Sequence, residues 1–390
     1  MARLGDVFEL QITGEWGNEC SENETGTKVL RTTNFTSEGI INYNDVVVRS
    51  ISEAKIEKKK LHYGDIILEK SGGTEKTPVG RVVFCDEFIE NDTYLCNNFT
   101  QAMRVNKAIA VPKYVFYFMW NLHYSGKTDL LQNKTTGIRN LQVKAYLNED
   151  FYLPSLEEQR KIAAVLDKVS DLITKRRQQL EKLDLLVKAR FVEMFGDPVS
   201  NSYQFPVLSL SELGELGRGV SKHRPRNAPE LLGGKYPLIQ TGEVANSDLY
   251  IHSYENTYSE VGFQQSKMWK AGTLCITIAA NIAKTAILSF DACFPDSVVA
   301  FSANEKTNNI FVHYWFSFFQ EILEAQAPES AQKNINLKIL SELKVIVPDI
   351  EEQNCFADFV EQAEKTKTRI RESLTKLETL KKALMQEYFG

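Results

Sequence analysis

Cysteine is sparse: Cys20, Cys85, Cys96, Cys275, Cys293 and Cys355 are the six in 390 residues, and no two form a Cys-x-x-Cys pair. Neither a disulfide framework nor a thiolate zinc site is indicated, and scattered thiols in a reducing compartment are the plain expectation. Histidine is equally thin, with His62, His123, His223, His252 and His313 dispersed and no His-Glu-x-x-His helix. Long apolar runs are missing too. The longest, Tyr114 to Trp120, falls far short of the ~20 residues a bilayer span needs. The N-terminal residues hold no apolar leader core, so a cytoplasmic chain without a membrane partner is expected. There is no excess of positive charge: Lys and Arg number 46 against 51 Asp and Glu, a net charge of −5. Phosphate binding needs clustered cations, so any nucleic-acid face must be local. Catalytic signatures are also absent. Gly126-Lys127-Thr128 resembles the end of a P-loop, but Asn121 stands where the upstream glycine belongs. No Gly-x-Ser-x-Gly elbow occurs, and no Asn/Asp-Pro-Pro-aromatic loop.

What the chain does have is one unit written twice. Leu153-Pro154-Ser155-Leu156-Glu157-Glu158-Gln159 returns 194 residues later as Val347-Pro348-Asp349-Ile350-Glu351-Glu352-Gln353. The same offset carries Lys182–Gly196 onto Lys376–Gly390 without a gap. Upstream the match is weaker: Tyr63–Leu68 lies opposite Ala271–Ile276, Val29–Thr32 opposite Leu238–Thr241, and Leu4–Val7 opposite Leu213–Leu216. The offset drifts to 209 there, so loops differ in length. A fixed C-terminal part and a variable N-terminal part suggest one scaffold carrying two different readers.

The fixed part reads as a helix. Ser155 with Glu158, and Asp349 with Glu352, form capping boxes just after a proline. Apolar residues then recur with 4–3 spacing: Ile162, Leu166, Val169, Ile173, Leu180, Leu183, Val187 and Met194, with Arg176 and Arg190 on the seam. The second copy gives Phe356, Val360, Ala363, Ile370, Leu374, Leu377, Leu384 and Tyr388, with Lys367 and Lys381 on the seam. Such a period predicts a coiled-coil seam, and residues 156–194 would form a rod about 58 Å long stopped by Gly196 and Pro198. If a pseudo-twofold axis relates the copies, the two helices pair antiparallel. The seam cations are expected to snorkel or to meet acids of another protein. The alternative is that each helix packs only on its own domain.

The variable segments read as mixed α/β. Strands are expected at Asp45–Val48, Asp65–Leu68, Arg81–Phe84 and Leu274–Thr277, and aromatic core helices at Lys113–Leu122 and Ile310–Leu323. Candidate DNA contacts sit in matched places. In the first copy they are Arg31, the run Lys58, Lys59 and Lys60, and a Gly-rich loop with Lys70, Ser71, Gly72, Gly73 and Lys76, followed by Arg81. In the second they are Arg218, Lys222, His223, Arg224 and Arg226, then Gln240, Gln264, Gln265 and Lys267, then Asn281 and Lys284. Glycine lets a backbone approach phosphate, Lys and Arg neutralise it, and Arg, Gln and Asn can pair with base edges.

With these residues in view, the chain resembles the specificity subunits of type I restriction–modification systems over essentially its whole length. The resemblance rests on the helix starts Pro154–Gln159 and Pro348–Gln353, the helix ends Phe195-Gly196 and Phe389-Gly390, Gly137–Leu141, and the Ser71-Gly72-Gly73 loop with Pro78–Arg81. The second copy departs from the last two, with Ala331 for Gly137 and Ala279-Ala280-Asn281 for Ser-Gly-Gly. Contacts therefore do not transfer from one half to the other. The resemblance implies an α+β chain with a pseudo-twofold internal repeat. Its target-recognition domains would be residues 1–152 and 197–346, separated by an antiparallel pair of long coiled-coil helices, 153–196 and 347–390. Each domain would read one half of an asymmetric bipartite site in double-stranded DNA. Two modification subunits would bind the helical region and bring S-adenosylmethionine and adenine methylation, and motor–nuclease subunits could join them. This chain would carry no catalytic residue, cofactor or metal. Glu157, Glu158, Gln159, Glu351, Glu352 and Gln353 are expected at the subunit interface. A stand-alone DNA-modifying enzyme and a coiled-coil scaffold without a nucleic-acid role are the competing readings.

Overall fold

The structure is a computed structural model that describes residues 2–21, 25–74, 77–135, 138–279, 282–319 and 335–390. The chain divides into two compact units, residues 1–177 with 372–390 and residues 178–371.

In the first unit an antiparallel sheet is ordered Phe8–Thr13, Thr100–Val105, Ile66–Glu69, Val82–Phe84. Ile66 stands opposite both Met103 and Phe84. Side chains alternate along a strand. Ile66, Leu68, Val82, Phe84 and Met103 face one core, with the helix Pro112–Tyr124. Ile12, Ile67, Val83 and Ala102 face a second core with Leu30, Tyr94 and Cys96, which come from a smaller sheet of Val47–Arg49, Thr27–Leu30 and Tyr94–Cys96. Burial on both faces explains why Ile66-Ile67-Leu68 is continuously apolar rather than alternating. The helix Pro112–Tyr124 starts with proline at its first position, where no amide is needed. Its side chains from Tyr114 to Met119 are all buried, as the expectation of core aromatics required.

The second unit repeats the plan. The sheet order is Gly214–Arg218, Val298–Ala303, Leu274–Thr277, Thr285–Leu288, Tyr250–Ile251. Leu274 stands opposite both Phe301 and Ile287. Leu274, Ile276, Ile287, Val299 and Phe301 face the core with the helix Asn309–Phe316, and Cys275, Ala286, Leu288, Val298 and Ala300 face the other. The Asn308 side chain caps this helix by accepting from the Phe311 amide at 2.8 Å. The helix is shorter than the expected Ile310–Leu323. It closes at Phe316 in a tight turn, with Ser317 N on Tyr314 O and Phe318 N on Trp315 O, and residues 320–323 lie outside the described residues.

Two helices of 40 residues, Leu156–Phe195 and Ile350–Phe389, are each shared between the units; each is about 60 Å long. Gly196, in the left-handed region at φ 68°, ends the first. Within each unit the two helices run antiparallel. In the second unit Asp184 pairs with Lys367, while Phe195 packs on Phe356: as the first helix advances, its partner runs back. In the first unit Arg177 pairs with Glu378, and Ile162, Ala163 and Leu166 share a core with Met385 and Phe389.

The buried face departs from the 4–3 seam. Leu180, Leu183 and Met194 are only half-buried, whereas Phe191 and Phe195 are fully buried, Phe191 stacked on Phe311 and Phe195 edge-on to it. A straight helix drifts from a 3.5 repeat by about 20° per heptad, and each unit's core takes whichever residues face it. The helices thus pack on one another and on the domains as well. Two of the seam cations, Lys367 and Lys381, also differ from expectation. Lys367 is 2% exposed and reaches Asp184 at 2.5 Å and Glu364 at 2.6 Å, so its acids come from this chain. Burial pulls its ammonium down, but those two carboxylates outweigh that and hold it above the ordinary lysine value. Lys381 instead lies over the Trp120 ring at 4.5 Å, and burial draws it down to about 8.

Candidate nucleic-acid interface

The first unit ties down many of its candidate cations. Lys59 donates to the Glu15 carboxylate at 2.9 Å and Lys55 at 3.2 Å. The bond from Lys59 is the main reason the Glu15 carboxyl lies below its ordinary value. Lys58 is exposed at the end of the helix Glu53–Lys59 and Lys60 is half-buried just past it. Arg31 grips Asp45 through its carboxylate at 2.8 Å and its carbonyl at 3.0 Å. Arg81 meets Glu69 through two bonds of 2.9 Å, and Glu69 is 5% exposed. A planar fork on a buried carboxylate is a strong, oriented pair, and it ties the Arg81 guanidinium to the sheet.

The expected Gly-rich loop is in fact a strand. Ser71–Gly73 pairs with Ile138–Leu141, which in turn pairs with Gln132–Thr135. Gly72 takes φ 100°, and the register shifts between Arg139 and Asn140 opposite it. Gly72 is thus the extra, unpaired residue of a bulge, and its positive φ suits glycine. Ser71 Oγ hydrogen-bonds Asn140, and a Cβ at Gly73 would lie 2.7 Å from the Thr77 carbonyl. Lys70 is half-buried. Lys76 and Gly137 lie outside the described residues.

The second unit gathers its candidates. Gln265 Oε1 accepts from the amides of Lys222 (2.6 Å) and His223 (3.0 Å), so two sequence-distant clusters meet. Gln265 is the staple of this loop, which leaves the exposed Gln264 beside it as the outward amide. Arg218 Nε donates to the Asp296 carbonyl at 2.7 Å, Arg224 reaches its carboxylate at 3.3 Å, and Arg226 pairs with the other carboxylate oxygen. Lys267 lies over the Trp269 ring at 3.8 Å, and that ring stacks on Phe294. Gly217 is required there, because a Cβ would fall 2.2 Å from Trp269. Lys222, His223, Arg224 and Arg226 are all exposed. Lys284 is exposed at the turn before Thr285–Leu288, and Gln240 is exposed at the start of the helix Thr241–Asn246. Asn281 lies outside the described residues. Asp296, Trp269 and Glu15 complete these clusters, and the sequence did not single them out. The signals were faint: a Pro295-Asp296-Ser297 turn, and Glu15 beside Trp16-Gly17 after a strand.

At the helix starts Glu157, Glu158, Glu351 and Glu352 are exposed, in the first turns where negative charge suits the helix dipole. Glu157 also pairs with Lys161 at 2.7 Å, and Ser155 Oγ accepts from the Glu158 amide at 3.3 Å. Gln159 and Gln353, expected at a partner surface, are instead turned inward and fully buried. Gln159 accepts from Val111 N (2.8 Å) and donates to Pro154 O (2.8 Å). Gln353 accepts from Thr307 Oγ1 (2.8 Å) and donates to Lys306 O and Pro348 O. Both amides lock a long helix to its own domain, which is why the glutamine repeats. Among the described residues no group of three or more His, Cys, Asp or Glu could hold a metal, and no helix is long and apolar enough to cross a membrane.

A family model described as the type I restriction modification DNA specificity domain matches residues 1–182 and 205–381. The chain belongs to this family. Its role is that of a type I specificity subunit, the DNA-sequence recognition component. It is 22% identical over 394 residues to a putative type I restriction enzyme specificity subunit (MjaX) of Methanocaldococcus jannaschii, covering 97% of this chain and 91% of that protein. The crystal structure of a type I restriction–modification S subunit from M. genitalium covers the whole chain at a TM-score of 0.60 and 14% identity. A chain from a structural study of type I R-M complex assembly and conformational transition gives 0.54 at 17%. At such identities the likeness to the solved structures is one of fold.

Proposed function

We propose that this specificity subunit reads an asymmetric, bipartite site in double-stranded DNA, one half with residues 1–152 and the other with residues 197–346. Residues 153–196 and 347–390 set the gap between the halves. The chain acts as a non-catalytic adaptor. Two modification subunits supply S-adenosylmethionine and the adenine methylation, and motor–nuclease subunits can complete a restriction complex. The exposed acids Glu157, Glu158, Glu351 and Glu352 face those partners, which reconciles a net charge of −5 with DNA binding.

One observation carries the reading: a common frame holds unlike charged layers. In the second unit Arg218, Lys222, Arg224, Arg226 and Lys267 gather around a loop stapled by Gln265. In the first, Lys58, Lys60 and Lys70 are the candidate cations, among the described residues, that Glu15, Asp45 and Glu69 do not engage. Two readers joined in one chain also bind cooperatively through effective concentration, so each can be weak alone. The purified chain should bind duplex DNA with an affinity that falls steeply as salt rises. It should transfer no methyl group from S-adenosylmethionine until modification subunits are added. Salt-independent binding, or turnover by the chain alone, contradicts the proposal.

A further inference from the structure

Gly14 and Gly219 hold the same place in the two units. Each follows the first strand of the main sheet, with its amide on the carbonyl of Thr100 (3.4 Å) or Val298 (2.9 Å). At each, a Cβ would collide with the turn that precedes the last strand, at 1.7 Å from Asn97 O or 2.2 Å from Pro295 O. Loop and turn are thus pressed together in both units, and both junctions hold one carboxylate among cations. In the second unit the loop carries the arginines and the turn carries Asp296. In the first unit the acid is on the loop, as Glu15, and the cations are Lys55 and Lys59 on a helix.

We propose that Asp296 is an internal competitor for DNA phosphate. It holds Arg224 and Arg226 by its carboxylate, and Arg218 by its carbonyl, in the DNA-free chain, and yields the two guanidiniums to the phosphate backbone on binding. The idea rests on the reading that the Arg218–Arg226 loop meets DNA. Geometry makes the exchange feasible. The Arg224 and Arg226 side chains are 54% and 44% exposed, against 26% for Asp296, so the forks are open to a second anion. Ion pairs this exposed are weak, whereas a phosphate also releases condensed counterions from the duplex. Until then the carboxylate keeps like-charged forks gathered and lowers the field that attracts arbitrary DNA. The effect is to suppress non-specific binding.

The test uses the full chain, a labelled random-sequence duplex and anisotropy titrations across salt. Asp296→Asn should tighten binding roughly three- to tenfold at low salt. Unchanged or weaker binding by a variant that melts within a few degrees of the native chain overturns the proposal. Should Asp296→Asn fold poorly, Asp296→Ser is measured with the same readouts; poor folding of both makes Asp296 a structural residue and also overturns it. The double variant Arg224→Ala/Arg226→Ala separates the two levels. Its binding should weaken, and if it does not, the loop does not meet DNA. If it does weaken while Asp296→Asn fails to tighten, only the competitor role is lost.

Discussion

The two units share a frame down to single backbone hydrogen bonds, yet their charged layers are built from different residues. Glu69 N bonds Arg81 O in the first unit, and Thr277 N bonds Lys284 O in the second. The matched positions hold a buried Glu69 gripping Arg81 on one side, and a buried Thr277 with an exposed Lys284 on the other. Likewise Asp65, 1% exposed and gripped by Arg104 at 2.8 Å, stands where the second unit has Thr273. A cation next to a buried acid becomes part of the sheet, and the same position without the acid presents its charge to solvent. Sequence divergence on a fixed frame can therefore move a cation between structure and surface without moving the backbone.

Substitutions in each unit test how far the shared frame and the unlike charged layers act separately. The largest effect is expected from the elements both units share. Phe195→Ala, or Phe191→Ala, should destabilise the second unit by about 3–5 kcal/mol, because a fully buried ring leaves a cavity. Thermal melts measure it, and a cost near zero would mean that the helix does not belong to that core. Gln159→Ala and Gln353→Ala should each cost about 1–3 kcal/mol, the penalty of stranding buried backbone groups. Denaturant titrations should find the two costs alike; a large loss in only one would deny that the clamp is a shared device.

Smaller effects should separate the units. Removing an exposed cation that meets phosphate lowers the salt slope of DNA binding by about one. Lys284→Ala should show that drop, whereas Arg81→Ala should chiefly lower thermal stability by stranding Glu69. An unchanged melt for Arg81→Ala, with a reduced slope, would reverse the assignment. A separate effect concerns pH. Burial, and then the Lys367 charge, lower His313 from 6.5 to about 4, and its Nδ1 lies 3.0 Å from Thr285 Oγ1. The unfolded state then binds the extra proton first, so this contribution to stability is intact above pH 6.5 and declines as pH falls toward 4. His313→Gln should flatten the pH dependence of melting in that window, and an unaltered slope would show that His313 does not cause it.

Much of the frame was legible in the sequence because it is periodic or repeated. The Pro154–Gln159 and Pro348–Gln353 helix starts mark the long helices to within a few residues of Leu156–Phe195 and Ile350–Phe389. Double-buried strands such as Leu274–Thr277 read directly as apolar runs. What was illegible depends on partners remote in sequence. Nothing near Gln159 indicates that its amide meets Val111 rather than another subunit, and nothing near Arg226 points to Asp296. Ser71–Gly73 has the composition of a loop, and only the distant strand Ile138–Leu141 makes it a strand. The 4–3 pattern found the helices but not Phe191 or Phe195, since a seam drawn for helix pairing ignores the domain packed beside it.

If unlike readers on a duplicated frame each take half of one DNA site, exchanging one reader should alter one half alone. Mapping methylated adenines genome-wide, in cells carrying the native chain and in cells whose residues 1–152 come from a relative of different specificity, tests it most directly. A new sequence is expected in one half of the modified site, with the other half and the gap length preserved. Change in both halves, or in neither, would contradict it.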